Sequence, residues 1–200
     1  NANLEAAIDP ESDILTINWE LCQADLDTIE KRQDKVTRQI RSLGKEEEKK
    51  LAPWTSAVAK IKPLLLDGKC ARTADLTDDE KAAIYDMFLL TMKPTLYVAN
   101  VDEDTITNGT NQYVEVVKKY AAEENSEVVV ICGKFEADLA EITEEADRKD
   151  FMESVGLEES GLAVLARKAY HLMGYRTFFT GGPDECRAWT INRGDKAPQA

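Results

Sequence analysis

The sequence predicts an α/β chain: part of a doubly wound parallel sheet, preceded by an antiparallel helical arm and followed by the opening strands of a β domain. Three observations carry this. Apolar residues recur at helical spacing up to Leu43 and again up to Leu66, with Gly44 between the two runs. Two short apolar strands, residues 95–99 and 127–132, are separated by a helical stretch, as a parallel sheet covered on both faces requires. Beyond Met173 the texture changes to two strand-like segments around Gly181-Gly182-Pro183-Asp184, a turn composition.

The arm comes first. Ile14, Ile17, Leu21, Leu26, Ile29, Val36, Ile40 and Leu43 recur at three- to five-residue steps, with one seven-residue step from Ile29 to Val36, and no proline lies among them. Asp13 or Ser12 is the expected N-cap after Pro10. Gly44 breaks the pattern, and a return helix is expected over 45–66, with Pro53 and Pro63 placed to kink or restart it. Two long helices joined by one glycine read as a helical hairpin of coiled-coil type. Near its tip Lys31, Arg32, Lys35, Arg38, Arg41 and Lys45 outnumber the neighbouring acids. Such a stretch is either a solvated helix surface with i,i+4 pairs or a basic arm that touches RNA phosphates.

A short helix should follow, capped by Thr77 with Glu80 at the capping-box spacing. After the first strand come a polar loop and a helix over about 111–124, and after the second strand a helix from about Phe135. Further helices are expected over 144–155 and 160–173, then strands over 176–180 and 185–191. The expected division is a connecting segment over 1–12, the arm over 13–76, the α/β domain over 77–174, and the start of a β domain over 175–200.

Composition narrows the function classes. Hydrophobic residues make up 43% of the chain and charged residues 32%, enough for a packed core and a solvated surface. The net charge of −13 argues against a protein that coats nucleic acid, DNA included, over its whole surface, though a local basic patch is compatible with it. Cys22, Cys70, Cys132 and Cys186 are scattered, without a C-x-x-C pair, and His171 is the only histidine, so no zinc site or Ser/His/Asp set is expected. No apolar run is long enough to span a membrane, and reduced thiols fit the cytoplasm.

Doubly wound folds bind ligands beyond the carboxyl ends of their strands. Asn100-Val101-Asp102-Glu103 stands at the end of the first strand and Cys132-Gly133-Lys134 at the end of the second. P-loop GTPases read their base with such a pair of loops: an Asn reaches the purine, an acid accepts from the guanine edge, and a small residue donates a backbone N–H. Here the acid is Glu103, where guanine-specific proteins carry Asp. A longer carboxylate does not reproduce the same bidentate contact, which predicts relaxed base choice or a preference for ATP. The alternative is that Asn100 and Glu103 merely cap the following helix. No G-x-x-x-x-G-K-[ST] or metal-binding D-x-x-G occurs, so this chain by itself is not expected to hydrolyse a nucleotide.

Several blocks resemble the YchF family of P-loop NTPases, also called Obg-like ATPases, of the TRAFAC class. They are Asp13-Ile14 with Asn18, Glu20-Leu21 and Ala24-Asp25-Leu26; Leu90-Thr91-Met92-Lys93-Pro94 running into Leu96-Tyr97-Val98-Ala99-Asn100-Val101-Asp102-Glu103; and Phe151 with Gly156-Leu157-Glu158-Glu159-Ser160-Gly161-Leu162. The most specific is Phe179-Thr180, Glu185, Arg187-Ala188-Trp189-Thr190-Ile191 and Ala197-Pro198-Gln199-Ala200. The resemblance implies a P-loop (G) domain with an inserted coiled-coil arm and a C-terminal β-grasp (TGS) domain. By that likeness this chain lacks the phosphate-binding half and most of TGS. It also implies ATP and often GTP as ligands, slow hydrolysis with Mg2+ held by the missing N-terminal part, ribosome or ribosomal RNA as partner, and roles in translation and stress control. Carried over by position, Asn100, Val101 and Glu103 contact the base, and Cys132 and Gly133 form the second base loop. Where the family usually has a histidine implicated in hydrolysis, this sequence has Asn3.

Overall fold

The computed structural model describes residues 8–196 and Pro198. Asn3 and most of the Ala197-Pro198-Gln199-Ala200 block lie outside the described residues. The chain divides into two compact units, with the division after Lys93.

The first unit is the helical hairpin: α1 (Pro10–Leu43) and α2 (Lys45–Leu66). Its start differs from the expected cap at residues 12–13. Asp9 is the N-cap, its side chain accepting the Ser12 N–H at 3.1 Å, and Pro10 takes the first helical position, where a missing N–H costs nothing. Gly44 turns the chain with φ +78°, a left-handed value that a side chain would strain. Pro53 and Pro63 both lie inside α2, so neither ends it. Cys22, Leu26, Ile29 and Val36 of α1 pack with Trp54, Val58, Ile61 and Leu65 of α2 in one core.

Helix α3 (Asp78–Ile84) and the 3-10 turns Tyr85–Met87 and Leu90–Met92 also belong to this unit. The capping box forms as the sequence suggests: Thr77 Oγ1 accepts the Glu80 N–H, and Glu80 accepts the Thr77 N–H. Leu76, Ile84 and Leu89 join the hairpin core, so residues 77–93 pack on the arm helices. Asp25, buried on α1, anchors the segment. Its carboxylate accepts the N–H groups of Leu90 and Thr91 at 2.7 Å each, and the Thr91 hydroxyl at 2.6 Å. That network holds Phe88, whose φ is +49°, in an exposed turn.

The second unit contains β1 (Leu96–Asn100), α4 (Glu103–Asn108), α5 (Gln112–Glu123), β2 (Glu127–Ile131), α6 (Gly133–Glu141), α7 (Glu145–Ser154) and α8 (Gly161–Leu172). β3 (Tyr175–Gly181) and β4 (Cys186–Asn192) complete it. β1 and β2 pair in parallel, Leu96 opposite Glu127 and Asn100 opposite Ile131, with α4 and α5 as the crossover. β3 and β4 form an antiparallel hairpin with Phe178 opposite Trp189.

Two expectations need correction. The segment after β1 is not a polar loop but the short helix α4. Asp102 caps it by accepting the Thr105 N–H at 2.8 Å, and Gly109 ends it in a left-handed conformation. The two parallel strands are also less covered than their apolar sequences suggest. Among the described residues they form a two-stranded sheet, and Val98 is 44% exposed.

Candidate base-reading site

The site grows from the ends of β1 and β2. Because the strands run parallel and in register, their carboxyl ends emerge side by side. Past the last ladder pair, the Val101 N–H donates to the Ile131 carbonyl at 2.8 Å. The Asn100 side-chain oxygen then accepts the Gly133 N–H at 2.9 Å. A Cβ at position 133 would sit 3.3 Å from that oxygen, so glycine lets the loops approach.

The second loop is held from beneath. Cys132 is buried, and its sulfur caps α6 by accepting the Phe135 N–H at 3.5 Å. Phe135 stacks on Phe151 with ring centroids 4.8 Å apart, and both pack with Leu139, Met152 and Leu157. This small apolar cluster fixes where α6 begins. The Cys132 side chain therefore faces the core, and that loop presents its backbone and Lys134.

A further link spans the two loops. The Lys134 ammonium lies 3.2 Å from a Glu103 carboxylate oxygen, with the two side chains 73% and 47% exposed. The Lys134 pKa is raised above its ordinary value, first by its hydrogen bond to Glu103 and then by that carboxylate's charge. Lys134 stands in the second loop motif but not among the base contacts expected from sequence; the register of β1 and β2 brings it to Glu103. Asp102 plays the capping part, and hydrogen bonds from Thr105 hold its carboxyl below the ordinary range. Asn100, Val101, Glu103, Cys132 and Gly133 thus lie at the neighbouring ends of β1 and β2, with Asn100, Glu103 and Gly133 exposed.

The candidate arm residues divide differently. Lys31, Lys35 and Arg38 share one helical face, away from the buried Ile29 and Val36, and Arg41 and Lys45 are exposed near the tip. Arg38 donates to the Asp34 carbonyl at 3.2 Å. Arg32 is half-buried and bonded to Asp86 at 3.1 Å, which ties it to the segment after α3.

No family model matches the chain. Individual proteins do, over nearly all of it. The Ribosome-binding ATPase YchF of Bacillus subtilis (strain 168) is 40% identical over 198 residues, which is 98% of this chain and 53% of that protein. The Ribosome-binding ATPase YchF of Escherichia coli O157:H7 is 42% identical over 198 residues, again 53% of its length. In three dimensions the chain superposes on the YchF GTPase of Schizosaccharomyces pombe with a TM-score of 0.86. In sequence and in fold, the chain is similar to YchF proteins over nearly all of its own length. The yeast match is 28% identical and covers 98% of this chain and 53% of the yeast one. The chain spans about half the length of the curated YchF relatives it matches. The YchF likeness makes the arrangement a partial P-loop domain with a helical arm and the first TGS strands.

Proposed function

We propose that the chain supplies the base-reading loops and the arm of a purine-nucleotide-binding P-loop NTPase. The complete protein prefers ATP over GTP, hydrolyses slowly, and works on the ribosome in translation and stress control in the cytoplasm. The observation that carries the nucleotide part is the hydrogen bond between Asn100 and Gly133, which joins two loops at the carboxyl end of a parallel sheet. The names of the YchF relatives, a ribosome-binding ATPase in two bacteria and a GTPase in yeast, support the same class. Glu103 in the acid position supports ATP over GTP. Titrating the intact protein with labelled ATP and GTP tests this: tighter ATP binding is expected, and about a hundredfold preference for GTP overturns it.

Mg2+ accompanies the nucleotide in this reading. Among the described residues no group of three or more His, Cys, Asp or Glu side chains is placed to hold a metal ion. No described helix is long and apolar enough to cross a membrane.

A second reading makes the chain a docking module for the ribosome in which hydrolysis is incidental. The exposed face bearing Lys31, Lys35 and Arg38, with Arg41 and Lys45 near the tip, favours it. Charge reversal at Arg38 and Arg41 then weakens ribosome co-sedimentation without altering nucleotide affinity, and unchanged sedimentation removes the arm from the account.

A further inference from the structure

We propose that Lys134 is a positioning residue that sets base choice by holding the Glu103 carboxylate against the second loop and away from guanine. The inference rests on the assignment of residues 100–103 and 132–134 as base loops. An ionised carboxylate only accepts hydrogen bonds, and guanine brings two donors to it, the ring N–H and the 2-amino group; the extra methylene of Glu103 weakens that paired contact but leaves both oxygens as acceptors. Lys134 takes one of those oxygens at 3.2 Å. The ammonium offers three donors and no acceptor, so it competes directly with guanine for the same lone pairs.

Magnitudes limit the effect. An exposed ion pair between mobile side chains is weak, so breaking it to admit guanine costs a small factor. The expected consequence is a bias against GTP of about fivefold, not an absolute block. Adenine, with only one donor on its Watson–Crick edge, does not need the second oxygen and escapes the competition. The proposal therefore concerns the 2-amino group, which guanine has and hypoxanthine lacks.

The test measures ATP, GTP and ITP affinities in the intact protein. In the wild type, GTP and ITP bind alike, because the second carboxylate oxygen is engaged. In Lys134→Met, GTP gains about fivefold over ITP, while Lys134→Arg restores the wild-type ratio. Adding Glu103→Gln to Lys134→Met abolishes the gain. A general structural defect shifts all three nucleotides together and leaves the GTP/ITP ratio unmoved. An unchanged ratio in Lys134→Met overturns the inference, provided Asn100→Ala weakens all three nucleotides. If Asn100→Ala alters none of them, the base-loop assignment falls and the inference falls with it.

Discussion

The side-chain oxygen of Asn100 accepts the Gly133 N–H at 2.9 Å, tying the ends of two parallel strands through one side chain and one backbone group. The bond gives Asn100 a structural duty beside any contact with a ligand. Asn100→Ala is expected to cost about 1 kcal/mol of stability, the usual net worth of one hydrogen bond. It should also weaken every purine nucleotide to a similar degree. Urea denaturation and nucleotide titration of the same variant measure the two effects, and a variant that changes neither would remove Asn100 from both roles.

Gly161, in one of the blocks that resemble the YchF family, has a steric reason to be glycine. Its N–H donates to the buried Glu136 carboxylate at 2.7 Å at the start of α8. A Cβ there would lie 2.8 Å from an Ile131 methyl and 3.0 Å from a Glu136 oxygen. Gly161→Ala should destabilise the chain by roughly 1–3 kcal/mol through overpacking. Ile131→Ala in the same background should recover part of that loss, measured by thermal melts.

Asp25 is 2% exposed and accepts three hydrogen bonds from Leu90 and Thr91. Asp25→Asn turns an amide group toward those donors and should cost roughly 1–3 kcal/mol. Limited proteolysis should then cut near Phe88 before the rest of the hairpin, because the exposed turn loses its anchor. Cleavage at the wild-type rate would show that the network does not hold the turn.

Glu80 gives the arm unit an acid dependence. Its pKa falls from the ordinary 4.5 to about 2, first through the hydrogen bond from Lys60, then those from Ser56 and the Thr77 N–H. A carboxyl with a depressed folded pKa stabilises the fold above its unfolded pKa, and that contribution fades as pH falls through the folded value. Stability should therefore drop between about pH 4.5 and about pH 2, and Glu80→Gln should flatten that part of the curve. Denaturant midpoints across this range provide the check.

Local rules reached far in this sequence. The helical hairpin was legible because apolar spacing and Gly44 are neighbours in the chain, and Thr77 with Glu80 announced its own cap. The parallel pair was legible from two apolar runs of strand length. The packing of residues 77–93 on the arm was not, because it depends on Asp25 reaching Leu90 and Thr91 across most of the unit. Arg32 read as part of the basic stretch, yet its partner Asp86 stands far away in sequence. Within the site, Asn100, Glu103 and Gly133 could be found from motif and strand ends. The Lys134–Glu103 pair could not, since only the parallel register brings those loops together. Helix α4 is hidden for a different reason: Asp102 falls inside the Asn100–Glu103 motif, while its side chain serves as the helix cap.

We propose that the base of a purine nucleotide lies against the ends of β1 and β2. Photolabelling the intact protein with 2-azido-ATP, which carries its reactive group on the base, tests it most directly. Peptide mapping should place the adducts within residues 100–103 or 132–134, and unlabelled ATP should suppress them. ATP-suppressible adducts confined to other segments would contradict the account.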